Sequence, residues 1–244
     1  MPRRDPDLAL ALGGGGARAA YQVGVLSALA RSLPELSFPI LTGVSAGAIN
    51  TAFLANHTGT LPESVGELRD MWRDVRISDV FTTSPRSLLS RAAHACLQVA
   101  FGIPPDGEPV QGMVDTAPLR RYLHRKLATE DGVLRGVAEN IESGRLDAVA
   151  LSATLYATGQ TVTFCTGRRI RTWDRPERVS RRVDLTVDHV LASAALPMLF
   201  PSVRVGDEWF GDGGIRLVAP LAPALHLGAR RIVAVSTCHR RTRA

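Results

Sequence analysis

Residues 8–57 read LALALGGGGARAAYQVGVLSALARSLPELSFPILTGVSAGAINTAFLANH, and the order of pieces in that stretch decides the fold. Asp7 to Leu12 is a short apolar run that ends in four glycines, the pattern of a buried strand. Ala17 to Arg31 has helical spacing, with Tyr21, Val25, Leu26 and Leu29 on one face and Pro34 closing it. Phe38 to Val44 reads as a second strand and Ala46 to His57 as a second helix. Strand, helix, strand, helix within fifty residues predicts a parallel sheet with crossover helices.

Downstream the chain alternates less regularly. Pro62 to Val75 and Pro85 to Phe101 have amphipathic spacing, and Pro85 suits a first helical turn. Gly102 to Gly112 is rich in Pro and Gly and reads as a loop. Thr116 to Leu127 and Asp131 to Ser143 are two further helix candidates. Leu146 to Leu155 and Gln160 to Thr166 are β-rich around Ala157-Thr158-Gly159, which predicts a hairpin. Arg168 to Arg182 is basic and irregular. Val187 to Ala195 reads as a short helix of small residues. Val203 to Phe210 reads as a tight hairpin around Gly206-Asp207. Pro220 to Leu227 reads as a helix and Arg231 to Ser236 as a final buried strand. A parallel sheet usually covers its last strand with a helix, so either earlier helices cover it or a C-terminal part lies outside this chain. The reading gives one domain, residues 8–236, between short tails at 1–7 and 237–244.

Composition narrows the classes. The chain has 244 residues, 45% of them hydrophobic, enough for one sizeable core. Its formal net charge is +6, mostly from arginine, but no aromatic-interleaved basic motif points to nucleic acid. The three cysteines, Cys96, Cys165 and Cys238, are widely spaced. They form no metal pattern and no disulfide framework, which suits a reducing compartment. No metal and no cofactor is expected. Asp5 and Asp7 interrupt any signal-like apolar region, and no uncharged run reaches a membrane span of about 18 residues. The expectation is a cytoplasmic protein whose membrane contact, if any, is peripheral. Oligomeric state is not legible.

Three motifs carry chemistry. Gly43-Val44-Ser45-Ala46-Gly47 sits where a strand becomes a helix, the context of a nucleophile elbow. The same five residues also fit a plain tight turn with Ser45 as helix N-cap. Gly13 to Ala19, GGGGARA, lets successive backbone N–H groups converge beside a helix N-terminus, which suits a phosphate or an oxyanion. Gly14 to Ala19 also fits a dinucleotide fingerprint. That site needs an acid at the end of the second strand, about 20 residues on, for the ribose. Here the strand ends in Thr42-Gly43-Val44-Ser45, so the oxyanion reading is preferred. The third motif is Asp212-Gly213-Gly214, a carboxylate whose following glycines permit close approach to another loop. Alone, Asp-Gly is more often an ordinary turn.

Together, LALGGGGARAAYQVGVL, GVSAGAIN and ASAALPMLFPSV running into GDGG resemble the patatin-like phospholipases, in that family's motif order and across residues 8–236. The resemblance implies a three-layer α/β/α fold around a mostly parallel sheet. It also implies a Ser–Asp dyad that cleaves lipid or phospholipid acyl esters. By that likeness Ser45 matches the nucleophile and Asp212 the base. Gly14, Gly15, Gly16 and Arg18 match the oxyanion-hole loop, Gly43 and Gly47 the elbow, and Gly213 and Gly214 the dyad loop. One departure is Ala19, where the family usually has glycine. Alanine is strained there if the position needs a positive φ and harmless if it is already helical.

Two other readings stand beside this one. An α/β-hydrolase triad would place a histidine after Asp212, and His226 and His239 both follow it. A non-catalytic lipid-binding domain would need neither dyad residue. Arg168 to Arg182, with seven arginines and Trp173, fits either a solvated loop or a surface for anionic head groups. Pro85 to Phe101 fits either a core-facing helix or an interfacial lid.

Overall fold

The computed structural model describes residues 5–82, 112–127, 129, 131–217 and 219–237. Expectations for the Pro85–Phe101 helix, for most of the Gly102–Gly112 loop, and for Cys96, Cys238 and His239 lie outside the described residues. Strand β1 (Leu8–Leu12) leads through a 3₁₀ turn at Gly16–Arg18 into α1 (Ala19–Ser32). Then come β2 (Ile40–Val44), α2 (Ala46–Asn56), α3 (Leu61–Asp74) and the short α4 (Ile77–Val80). Among the described residues from 112 onward follow α5 (Ala117–Lys126), α6 (Arg135–Glu142), β3 (Ala148–Leu155) and β4 (Thr161–Gly167). The chain continues with β5 (Asp174–Arg175), β6 (Arg178–Arg182), α7 (Val187–Ala194), β7 (Val203–Val205) and β8 (Glu208–Asp212). It closes with α8 (Leu221–His226) and β9 (Arg231–Val235).

One sheet holds these strands in the order β5-β6-β4-β3-β2-β1-β9, with β8 also pairing to β3 and β7 to β8. Its centre is parallel, as β9, β1, β2 and β3 all run the same way. The antiparallel pairs are β3 with β4, β3 with β8, and the small hairpins β5–β6 and β7–β8. Because side chains alternate along a strand, the sheet presents two different faces. Leu10, Leu12, Leu41, Val149, Leu151 and Phe164 join Leu26 of α1, Ala52 and Phe53 of α2, Leu68 of α3 and Val190 of α7 in the main core. Each large side chain buried there contributes about 1.5–3 kcal/mol. The other face carries Ala9 and Ile40, which meet Ala224 of α8 and Ala229. The layers are therefore helices, sheet and helix, thick on one side and thin on the other.

Several expectations need correction. The buried face of α1 is Ala19, Gln22, Val23, Leu26 and Ala30, while Tyr21 is 64% exposed. A buried polar residue, Gln22, takes a core position and turns the helix away from the face that apolar spacing alone selects. Arg168 to Arg182 is not irregular throughout, since it contains β5 and β6, an edge hairpin where charged side chains reach water. The final strand β9 is only half-buried, with Arg231 and Ala234 exposed, because it lies at the sheet edge beside β1. The predicted 131–143 helix starts later, at Arg135, since Val133 forms an isolated bridge to Thr186.

Candidate active site

The parallel centre of the sheet places the C-terminal ends of β1 and β2 side by side, with Leu12 opposite Gly43. Both motif loops leave the sheet there. At the end of β2, Ser45 has φ 58° and ψ −134°, a conformation that L-residues avoid. Its carbonyl starts α2 by accepting from the Ala48 N–H at 2.8 Å. Its hydroxyl does not cap the helix. Instead, Ser45 Oγ donates to Asp212 Oδ2 at 2.6 Å.

Packing explains the elbow glycines. A Cβ on Gly43 would run into Thr51, and one on Gly47 into the carbonyls of Leu12 and Gly13. Without side chains at these two positions α2 sits directly against the ends of β1 and β2. A residue with no role in the three chemical motifs, from the ASAALPMLFPSV stretch, holds the strained backbone in place. Ser193 of α7 accepts from the Ser45 N–H at 3.0 Å and donates to the Ser152 carbonyl at 2.6 Å.

Asp212 ends β8, where it pairs with Ala153. Its N–H donates to the Ala195 carbonyl at 2.8 Å, and its own carbonyl accepts from Thr154 Oγ1 at 3.0 Å. Its second carboxylate oxygen, Oδ1, accepts from the Gly214 N–H at 2.6 Å. A Cβ on Gly213 would strike the Ser152 carbonyl, so glycine is what lets this turn lie on β3. Asp212 is only 3% exposed. Burial disfavours its charged form and raises its pKa above the ordinary carboxylate value, and the hydrogen bonds from Ser45 and Gly214 offset that only in part.

The glycine loop wraps the other side of Ser45. A Cβ on Gly14 would stand 3.0 Å from Ser45 Cβ and 3.5 Å from its Oγ, so any side chain there would fill the space in front of the hydroxyl. Gly16 has φ 57°, in the left-handed region that glycine adopts freely. Arg18 is exposed on the 3₁₀ turn, and its Nε donates to the Gly15 carbonyl at 3.4 Å. Ala19 is buried with φ −62° and ψ −18°, already helical, so alanine in place of glycine carries no strain.

Ser45, Asp212, Gly14 and Gly214 thus meet at one point, with Gly43, Gly47 and Gly213 allowing the approach and Gly15, Gly16 and Arg18 following around the loop. His226 is not part of this group, because its ring stacks on Trp173 with centroids 4.5 Å apart. His189 is buried, accepts from the Thr186 N–H at 3.0 Å, and is pushed down to a pKa of about 4 by desolvation. Among the described residues no imidazole stands between Ser45 and Asp212. Cys165 is buried as expected, and its thiol is pushed up to about 11, which keeps it unreactive. Sequence reading missed Ser193, and also Gln22 and Thr237, which bond the carbonyls of the glycine loop.

Among solved structures, VipD from Legionella pneumophila aligns over 86% of this chain and 46% of its own, at 16% identity and a TM-score of 0.48. A human GIVD cytosolic phospholipase A2 in complex with methyl gamma-linolenyl fluorophosphonate and terbium chloride aligns over 98% of this chain and 42% of its own, at 15% identity and a TM-score of 0.48. ExoU of Pseudomonas aeruginosa, in complex with SpcU, aligns over 66% of this chain and 35% of its own, at 18% identity and a TM-score of 0.34. The chain spans less than half the length of these neighbours. No curated protein sequence matches it. The sequence model described as patatin-like phospholipase matches residues 10–225, which take in all three motifs, and on that match the chain belongs to the patatin-like phospholipase family.

Proposed function

We propose that this chain is a serine lipid acyl hydrolase that cleaves fatty-acyl ester bonds through an acyl-enzyme on Ser45. The observation that carries the reading is the direct 2.6 Å hydrogen bond from Ser45 Oγ to a buried Asp212 carboxylate. A free aspartate is a weak base, and burial strengthens it in the direction the chemistry needs. In the first step Ser45 Oγ attacks the ester carbonyl carbon while its proton passes to Asp212. The carbonyl oxygen becomes an oxyanion, and the glycine loop beside Ser45 offers the donors for it. Among the described residues, the N–H groups of Gly14, Gly15 and Gly16 have no acceptor. Collapse of the intermediate expels the alcohol, which takes the proton back from Asp212. Water then attacks the acyl-enzyme with Asp212 again as base, and the fatty acid leaves.

Exposed apolar side chains lie near Asp212 along the chain. Leu196 and Met198 precede Asp212 in the loop after α7, Ile215 follows it, and all three are exposed, Met198 at 77%. The carbonyl of Met198 accepts from the N–H of Met113, which is also exposed. Among the described residues no helix is long and apolar enough to cross a membrane, and exposed apolar side chains of this kind are suited to contact with a lipid surface. Labelling with a fluorophosphonate followed by turnover of a panel of phospholipids, lysophospholipids, neutral lipids and thioesters tests the proposal. Label on Ser45 with release of fatty acid supports it, and label on a different serine would sink it.

A further inference from the structure

Three consecutive carbonyls of the glycine loop accept hydrogen bonds, two from side chains outside the loop and the third from Arg18 within it. Gln22 Nε2 donates to Gly13 O at 2.7 Å. Thr237 Oγ1 donates to Gly14 O at 2.5 Å. Arg18 donates to Gly15 O through its backbone N–H at 3.2 Å and its Nε at 3.4 Å. In a planar trans peptide the N–H points opposite to the carbonyl of the preceding residue. Fixing these three oxygens therefore fixes the directions of the Gly14, Gly15 and Gly16 N–H groups, away from the gripping side chains. Glycines have no side chain to resist peptide rotation, so the orientation must be imposed by neighbours.

The grip on Gly13 has a direction built into it. Trp72 Nε1 donates to Asn50 Oδ1 at 2.7 Å, and Asn50 Nδ2 donates to Gln22 Oε1 at 2.9 Å and to the Ala19 carbonyl at 3.2 Å. Gln22 Nε2 then donates to Gly13 O and, at 3.3 Å, to Val235 O. An indole N–H can only donate. It obliges Asn50 to present its oxygen to Trp72 and its NH₂ to Gln22, and so obliges Gln22 to present its NH₂ to the loop. Gln22 and Asn50 are fully buried, and every polar atom of both amides has a partner. A buried amide pair costs free energy unless it is fully satisfied. This one runs from α3 through α2 and α1 to the loop.

We propose that Gln22 and Thr237 are positioning residues that hold the Gly13 and Gly14 carbonyls outward, so that the Gly14 and Gly15 N–H groups face the oxyanion formed at Ser45, with Trp72 and Asn50 setting the direction of Gln22. The inference rests on the hydrolase reading above. It also places Thr237, which the sequence assigns to a tail, in the working structure of the domain.

The test is steady-state hydrolysis of p-nitrophenyl butyrate together with the rate at which a fluorophosphonate labels Ser45. Removal of a whole oxyanion donor costs about 10²–10³ in kcat. Thr237→Val, which removes the hydroxyl and keeps the shape, should therefore lower kcat by roughly tenfold or more. KM should stay within about twofold, because ground-state binding is untouched. Labelling should slow in parallel. Thr237→Ser should restore kcat to within about threefold of the starting protein, since the donor returns. Trp72→Phe, which keeps a ring in place and removes the donor, should lower kcat by a smaller factor, roughly threefold, again at constant KM. Wild-type kcat in Thr237→Val, or a loss that serine does not rescue, overturns the proposal and leaves Thr237 as a stitch between the loop and β9. Full turnover in Ser45→Ala, or no turnover and no labelling in the unmodified protein, would instead overturn the hydrolase reading.

Discussion

Ser45 and Asp212 share one hydrogen bond but are held under different kinds of tension. Ser45 ends a parallel strand with its backbone in a disfavoured conformation, locked by Ser193 from α7 and by the bare faces of Gly43 and Gly47. Asp212 ends an antiparallel strand with a relaxed backbone, φ −54° and ψ 124°, and its tension is a carboxylate taken out of water. One half of the pair stores conformational strain and the other stores electrostatic strain. Both costs are borne at the point where the proposed chemistry would happen, as expected of a functional site. The two costs respond to different probes, so they can be separated.

The largest effects come from the strained half. Ser45→Ala should remove ester turnover and fluorophosphonate labelling together. Ser45→Gly should do the same, and in addition should stabilise the fold by about 1 kcal/mol, because glycine adopts a positive φ without penalty. Alanine keeps a Cβ and should not give that gain. Equal melting temperatures for the two variants would show that the backbone at Ser45 carries no strain.

Asp212→Asn probes the electrostatic half and should lower kcat/KM by about 10²–10⁴, the usual contribution of a positioned base. Its signature is pH. The base must be ionised, so kcat/KM should rise through a pKa above the ordinary carboxylate value of 3.8. The stability effect has the opposite sign. Between the ordinary value and the raised one, the native state binds more protons than the unfolded state, so stability falls as pH rises through that window. Asp212→Asn should remove that fall and melt higher than the parent at neutral pH. A variant that melts lower at neutral pH would mean that the carboxylate is net stabilising, and that the contrast with Ser45 is wrong.

Ser193→Ala comes next in size. It deprives the Ser45 N–H of its acceptor and the Ser152 carbonyl of a donor, at a cost of about 1–3 kcal/mol for a buried unsatisfied group. The elbow should loosen and kcat fall by roughly tenfold, since small misplacements of a reacting group are costly. Unchanged kcat in a destabilised protein would show that packing alone holds the elbow.

The sequence exposes the two dyad candidates and hides what supports them, for a physical reason. Glycines flank Ser45 and follow Asp212 because close approach demands them, and that demand is local enough to read as a motif. Gln22, Asn50 and Ser193 lie inside the stretches that carry the family likeness and Thr237 in a stretch that reads as tail, but nothing in the neighbouring residues marks which distant groups their side chains bond. Gln22 also misleads, since it occupies an inward position that apolar spacing assigns to solvent, which is why Tyr21 is placed on the wrong side. The parallel centre of the sheet is legible because its strands are apolar and lie between crossover helices. The β5–β6 hairpin is not, because an edge strand tolerates arginines that mask its alternation.

The smallest expected effect is the one that separates dyad from triad. His226 lies after Asp212 in the chain, as a triad histidine would, yet its ring lies 16° from parallel to Trp173 at 4.5 Å, on the far end of α8 from Pro220. The hydrogen bond from Ser45 Oγ is already made to Asp212 itself, so an imidazole would have to displace the carboxylate to take the proton. In a triad the histidine is the base and its loss is severe. Here His226→Ala should leave kcat/KM on p-nitrophenyl butyrate within about threefold, less than roughly 1 kcal/mol of barrier. The stack on Trp173 ties α8 to the segment before β5, so the variant should lose some thermal stability without losing the acid limb of the pH profile. If His226→Ala were as inactive as Ser45→Ala while still folded, the direct bond between Ser45 and Asp212 would not be the working arrangement, and a histidine relay would take its place.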